Sequence, residues 1–307
     1  MKKVIQEGRP PTWWDKNKFG FLFIAPWFIG FMVFNLYPML YSLFLSFTNF
    51  NLFDVPKSVG FSNYIFLFTK DVRFFESVVV TLKYVLFGVP FQLLIALLLA
   101  LALNKGIPAL GIFRAVYYLP ALLGGSVAIA ILWRQVFDIN GLVDHFLMLI
   151  GFSGEIVKMS WVTNPNTSLS TLIILRMWQF GSPMIIFLAG IKQIPNELYE
   201  SASVDGATFI KKFFHITLPI LTPIILFNTI MQIVSAFQAF TPAYIVGGST
   251  GGMLDSTLFY SLYIYIVGFT NFKMGVASAM AWILLLVVAA LTTIIFKTSD
   301  RWVYYDN

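Results

Sequence analysis

The chain has 307 residues, of which 58% are hydrophobic and only 11% charged, with a mean hydropathy of +0.81. Apolar runs long enough to cross a hydrocarbon core of roughly 30 Å, about 20 helical residues, recur along it, which excludes a water-soluble globular protein and defines an all-α, polytopic membrane protein. With no cysteine, disulfides and thiolate metal sites are excluded, and the net charge of +6 is accounted for by membrane topology without nucleic acid.

Residues 1–18 form a polar segment in which Trp13 and Trp14 suit an interfacial position on the inner face. Six spans are expected after it, at 19–47, 77–103, 115–133, 169–189, 219–239 and 274–296, followed by a tail at 297–307. The first reads as an uncleaved span and not a secretory signal. Pro38, Pro90, Pro120 and Pro183 fall within or at the ends of spans, where proline bends a helix and frees a carbonyl. Between the third and fourth spans, apolar residues at 142, 143, 146, 147, 149 and 150 predict a short helix lying on or re-entering the outer surface.

The fourth span carries Arg176 and Gln179 at i and i+3, with Trp178 between them. A start near residue 169 puts Arg176 about 10 Å below the outer boundary, where its guanidinium needs a carbonyl, a lipid headgroup, a partner subunit or an anionic substrate. No acidic residue is clearly inside a span. Asn228, Gln232, Ser235 and Gln238 share one helical face of the fifth span and are expected to point inward. That face is either interhelical glue or a polar stripe along a permeation path, with the rings of Phe237, Trp178 and Trp133 available for stacking on a solute.

Between these two spans lies the most polar stretch of the chain, the loop 192–218. Asn196 is positioned to cap a helix there, and Glu197 and Glu200 put negative charge in its first turns, where the helix dipole favours it. Ser201, Ala202 and Ser203 keep that helix slim, Gly206 ends it or turns the chain, and residues 207–215 allow a second short helix. A plain solvated hairpin and a shape that inserts into a partner's groove both fit.

Basic residues fix the orientation. With both termini inside, the cytoplasmic side carries Lys2, Lys3, Arg9, Lys16, Lys18, Lys105, Arg114, Lys192, Lys211, Lys212, Lys297 and Arg301. The outside carries only Lys57, Lys70, Arg73, Arg134, Lys158 and Lys273, so the termini and the Glu200 loop are expected in the cytoplasm. His145 and His215 then fall on opposite sides of the membrane and cannot share a metal.

The loop reads Glu200-Ser201-Ala202, Gly206 and Ile216-Thr217-Leu218-Pro219, with Asp205-Gly206-Ala207 inside it. In spacing and position this resembles the Glu-Ala-Ala motif of the membrane-spanning subunits of bacterial ATP-binding-cassette importers. The likeness is to the sugar permeases related to the first permease of maltose and glycerol-3-phosphate transporters. Ser201 stands where that family has alanine, and Met253 follows Gly251-Gly252 where the family has proline.

The resemblance implies a type I importer permease fold, and a coupling role for Glu200, Ser201, Ala202, Asp205, Gly206 and Ala207 against a separate nucleotide-binding ATPase subunit. It also implies a second, related permease, an extracytoplasmic solute-binding protein, a carbohydrate substrate and a place in the bacterial inner membrane. No cofactor is implied. The chain has no Gly-x-x-x-x-Gly-Lys-Ser/Thr phosphate loop, so ATP hydrolysis is expected elsewhere. An anionic solute, such as a uronate oligosaccharide or glycerol phosphate, is the alternative that Arg176 raises. A proton-coupled carrier is disfavoured by the lack of buried carboxylates, and a membrane enzyme by the lack of a His/Asp/Glu constellation within a span.

Overall fold

The computed structural model of the protein describes residues 13–104, 110–152, 154 and 159–304. The proposed interfacial segment therefore lies largely outside the described residues, as do Lys105 and Lys158. Among the described residues the fold is helical, with an isolated bridge between Thr48 and Ser58 in place of any strand.

Among the described residues five stretches are long and apolar enough to cross a membrane: Phe19–Ser46, Val72–Leu103, Ser168–Ile191, Phe209–Phe237 and Met274–Ser299. The first comprises helices α1 (Trp13–Phe31) and α2 (Tyr37–Ser46), joined by a π turn at Met32–Leu36 just before Pro38. A short α3 (Ser62–Thr69) leads to α4 (Val72–Leu103). α4 starts ahead of the expected residue 77 because the Asp71 carboxylate accepts the Phe74 amide at 3.1 Å and caps it.

The expected third span at 115–133 is bent and not one straight helix. α5 (Leu110–Leu123) breaks into α6 (Val127–Phe137), and the stretches Gly111–Leu123 and Val127–Leu149 lie at 94° to one another, so the pair is a broken span or a re-entrant element. Local chemistry explains the break: Pro120 sits one turn before Gly124-Gly125, and the Ser126 hydroxyl starts a new helix by accepting the Ile129 amide at 3.3 Å. The predicted amphipathic helix follows as α7 (Leu142–Leu149), with Leu142, Phe146 and Leu149 exposed and Asp144 buried under Trp161.

The fourth span is two helices, α8 (Ser168–Trp178) and α9 (Gly181–Ile191), interrupted at Gln179 and Phe180. The polar loop holds α10 (Asn196–Val204) and α11 (Phe209–Lys212), and a π turn at Phe213–Thr217 feeds α12 (Leu218–Phe237). The remainder is α13 (Thr241–Val246), α14 (Tyr260–Tyr265) and α15 (Met274–Ser299).

α4 is the axis of the bundle. Its buried residues Ser77, Thr81, Tyr84, Gly88, Gln92, Ala96, Ala100 and Leu103 follow one another at three- or four-residue spacing, one stripe of a helix. The small ones among them, Ser77, Thr81, Gly88, Ala96 and Ala100, let α8, α9 and α12 approach closely, since helices in lipid associate by packing and not by hydrophobic expulsion. Near the Glu200 loop, Ala96, Ala100, Met184, Phe187, Ile191 and Leu221 make one core. At the far end Phe74, Leu172, Leu258, Phe259 and Met280 belong to another. Among the described residues none in the apolar window of the first span is fully buried, so much of that helix is left to meet lipid or a partner protein.

Candidate coupling loop and translocation face

α10 stands clear of the bundle and buries none of its residues. Glu200, Ser201, Asp205 and Gly206 are exposed, and Ala202 and Ala207 are partly so. The loop is nonetheless fixed. Tyr199 turns back toward the core around Ile191 and Ile194, and its hydroxyl lies 2.9 Å from Thr217 Oγ1. Lys212 Nζ donates to the Ser203 hydroxyl, tying α11 to α10.

Gly206 has φ +72°. The Ala207 amide donates to the Ala202 carbonyl at 2.8 Å and the Gly206 amide to Ser203 at 3.1 Å, the paired bonds of a Schellman cap. The glycine of the motif is therefore demanded by a left-handed backbone position, while the space around its absent Cβ is open. Asn196 does not cap α10; the capping position falls on Pro195, whose extended backbone sets the helix start without a side-chain bond. Val204, Phe209, Ile210 and Phe214 are all more than half exposed. A rigid, slim helix flanked by uncovered apolar side chains at the end of a membrane bundle has the shape of a docking element.

The four polar residues expected to align on the fifth span separate into two pairs. Asn228 is fully buried, with neither amide atom hydrogen-bonded, and Gln232 is partly buried. Ser235 and Gln238 are exposed. At about 100° per residue, ten residues carry the face round by roughly 80°, enough to move the stripe from the packed side of α12 to its open edge. Phe227 and Met231 share that open edge with Ser235 and Gln238.

Arg176 is 4% exposed and finds its partner inside the chain. Its Nη2 donates to the Gln232 backbone carbonyl at 2.7 Å and to Gln232 Oε1 at 3.2 Å, and the guanidinium lies 5.7 Å from the centre of the Tyr84 ring. The side chain reaches there across Gly88, where a Cβ would stand 3.0 Å from Arg176 Cδ. Gln179 sits at the break between α8 and α9: its Nε2 donates to the Gly124 carbonyl at 2.9 Å, and its own carbonyl accepts Gln92 Nε2 at 2.8 Å. It thus joins the two broken spans. Trp178 packs on Trp133 at 5.7 Å, while the Trp133 indole donates to the Thr171 carbonyl.

Sequence reasoning missed Tyr84 and Gln92, and also a network at the end opposite the Glu200 loop. There Arg73 grips Asp255 through Nε–Oδ2 at 2.8 Å and Nη2–Oδ1 at 2.6 Å and also donates to the Thr250 carbonyl. Tyr263 donates to Asp71 at 2.8 Å. A lone polar residue in an apolar run, as Gln92 is, was the available signal; Tyr84 carried none. His145 and His215 each bond a backbone carbonyl four residues earlier, and among the described residues no cluster of metal-binding side chains exists.

A helical bundle whose broken spans are bridged by side-chain amides, with a polar loop exposed at one end, fits a membrane permease. The chain belongs to the family of binding-protein-dependent transport system inner membrane components, whose sequence profile matches residues 65–303. It is 50% identical to the "probable ABC transporter permease protein YesP" of Bacillus subtilis (strain 168), covering 95% of this chain and 93% of that one. The arabinooligosaccharides transport system permease protein AraP of the same organism is 32% identical, covering 96% and 92%. A solved structure of a bacterial alginate ABC transporter, in complex with alginate pentasaccharide-bound periplasmic protein, contains a chain with the same fold. The TM-score is 0.79 at 24% identity, covering 94% of this chain and 97% of that one. The protein is thus a permease subunit, a transport component of the inner membrane.

Proposed function

We propose that the chain forms part of the translocation path of an ATP-driven importer of oligosaccharide or a related carbohydrate. In this reading α10 is the coupling helix, docking in a separate nucleotide-binding subunit through Glu200, Ser201, Ala202, Asp205, Gly206 and Ala207. Closure of that subunit on ATP then rocks α9 and α12, to which the loop is anchored. The observation that carries the reading is the loop itself: an acidic-to-small helix with no buried residue, held rigid by a Schellman cap and the Tyr199–Thr217 contact. The termini and this loop are cytoplasmic, as the distribution of Lys and Arg supports.

A second permease of related fold completes the path against the open edge of α12, where Ser235 and Gln238 offer hydroxyl and amide groups to sugar hydroxyls. An extracytoplasmic binding protein delivers the substrate. The carbohydrate class is supported by the name of the arabinooligosaccharide relative. Arg176, which raised the anionic-solute alternative, donates to Gln232 and lies near Tyr84, so it is assigned to structure.

The test is reconstitution. The purified chain alone shows no ATPase activity, and with its partner subunits in proteoliposomes it takes up oligosaccharide only when ATP is present on the Glu200-loop side. ATPase activity of the chain alone above a detergent blank, or uptake independent of ATP, contradicts the proposal.

A further inference from the structure

At the end of the bundle opposite the Glu200 loop, an open cleft of about 350 Å³ lies between the start of α4, α13 and the far end of α14. Its volume sits at the small end of the roughly 300–1,000 Å³ of ligand sites, enough for a ring or two and not for a chain. The lining includes two aromatic rings, Tyr244 and Tyr265, 5.8 Å apart and nearly perpendicular at 89°. Ser249, Thr270 and Asn271 add hydroxyl and amide groups around them.

The walls are built. Arg73 holds the 250–255 loop through Asp255 and Thr250, and Ser168 holds it from the other side through Ser256 at 2.8 Å. Glycines with positive φ at 248, 251 and 252 allow the loop to fold this tightly; a Cβ at Gly252 would stand 2.5 Å from Thr257 Oγ1. Beside the cleft the chain leads back to the end of α12. Phe240, two residues beyond Gln238, packs on both Tyr244 at 5.4 Å and Tyr265 at 5.3 Å.

We infer that this cleft is a carbohydrate subsite, an antechamber in which one end of the substrate is held before it passes inward along Gln238 and Ser235. Sugar rings present an apolar C–H face and a rim of hydroxyls. Two crossed aromatic rings with hydroxyl and amide groups around them match both features, since tyrosine supplies an apolar face with a polar tip. The subsite presupposes the carbohydrate reading above and adds to it a place and a set of residues.

The experiment uses the complete transporter in proteoliposomes, with labelled arabinotriose, maltotriose and an alginate trisaccharide as probes. Tyr244→Ala raises the KM of the sugar taken up best by about tenfold, and Tyr244→Phe, which keeps the ring, restores it. In parallel, the cysteine-free chain allows Asn271→Cys to be labelled with a hydrophilic maleimide. Saturating sugar slows that labelling and leaves His145→Cys, on the exposed surface of α7, unaffected. If Tyr244→Ala fails to assemble, protection of Asn271→Cys decides alone. An unchanged KM in assembled Tyr244→Ala, or no protection at Asn271→Cys while the wild type transports, overturns the subsite and leaves the carbohydrate reading standing. A wild-type complex that takes up none of the sugars overturns both.

Discussion

Two residues show how differently single positions are determined. Gly206 is set by backbone alone: its φ of +72° is left-handed and nothing crowds its Cβ position. Gly206→Asn is therefore expected to support substrate-stimulated ATPase in the complex, while a β-branched Gly206→Val, straining the cap by about 1–2 kcal/mol, lowers it. Equal activity of the two variants would contradict the role of the cap. Arg176 is set by burial. Removing its guanidinium leaves the Gln232 carbonyl without its donor, so Arg176→Gln is expected to destabilise the assembled complex by about 1–3 kcal/mol, read as a lower thermal midpoint and yield. A structural role makes the loss the same for every substrate; uptake reduced for an acidic sugar alone would reverse the assignment. The need for a partner at Arg176 was legible in the sequence. The partner was not, because a backbone carbonyl 56 residues away carries no side-chain signature.

At the scale of elements, existence was easier to read than shape. Spans follow from runs of apolar residues, and all but the third appear as continuous or nearly continuous helices close to their expected positions. The third is bent where Pro120, Gly124 and Ser126 break it locally, and the Gln179 amide, donating to the Gly124 carbonyl across 55 residues, holds the bend. A Cβ at Gly124 would lie 2.4 Å from Gln179 Cγ and 2.6 Å from the Pro120 carbonyl. Gly124→Ala is thus expected to cost about 1–3 kcal/mol of stability, and adding Gln179→Ala relieves only part of it, because the Pro120 backbone cannot yield. Full recovery of the thermal midpoint in the double variant would show that the carbonyl contact is immaterial. For α12, the polar stripe was legible as a pattern, yet a helix drifts relative to its neighbours and only two of the four residues stay at the open edge. Single cysteines at Ser235 and Gln238 are expected to react with a hydrophilic thiol reagent in the assembled complex, and one at fully buried Asn228 is not. Equal labelling of the three would contradict this division of the face.

At the scale of the molecule, the chain reads as one part of a machine. Its first span carries an apolar window with no fully buried residue among those described, its polar loop stands at one end, and an aromatic cleft opens at the other. The helix-and-turn shape of the loop was legible because Glu200 to Ala207 are local in sequence, lying in α10 and the turn that ends it. The distant pairing of Arg73 with Asp255, which shapes the opposite end, joins residues 182 positions apart and left no local trace. The central claim is that the free loop transmits closure of a nucleotide-binding partner to the spans. The most direct measurement is the ATPase activity of the complete transporter carrying Ala202→Trp, which places an indole on the slimmest part of α10, a helix with no buried residue. The account predicts an assembled, membrane-inserted complex whose ATPase no longer responds to substrate. Normal stimulation of the variant would contradict it.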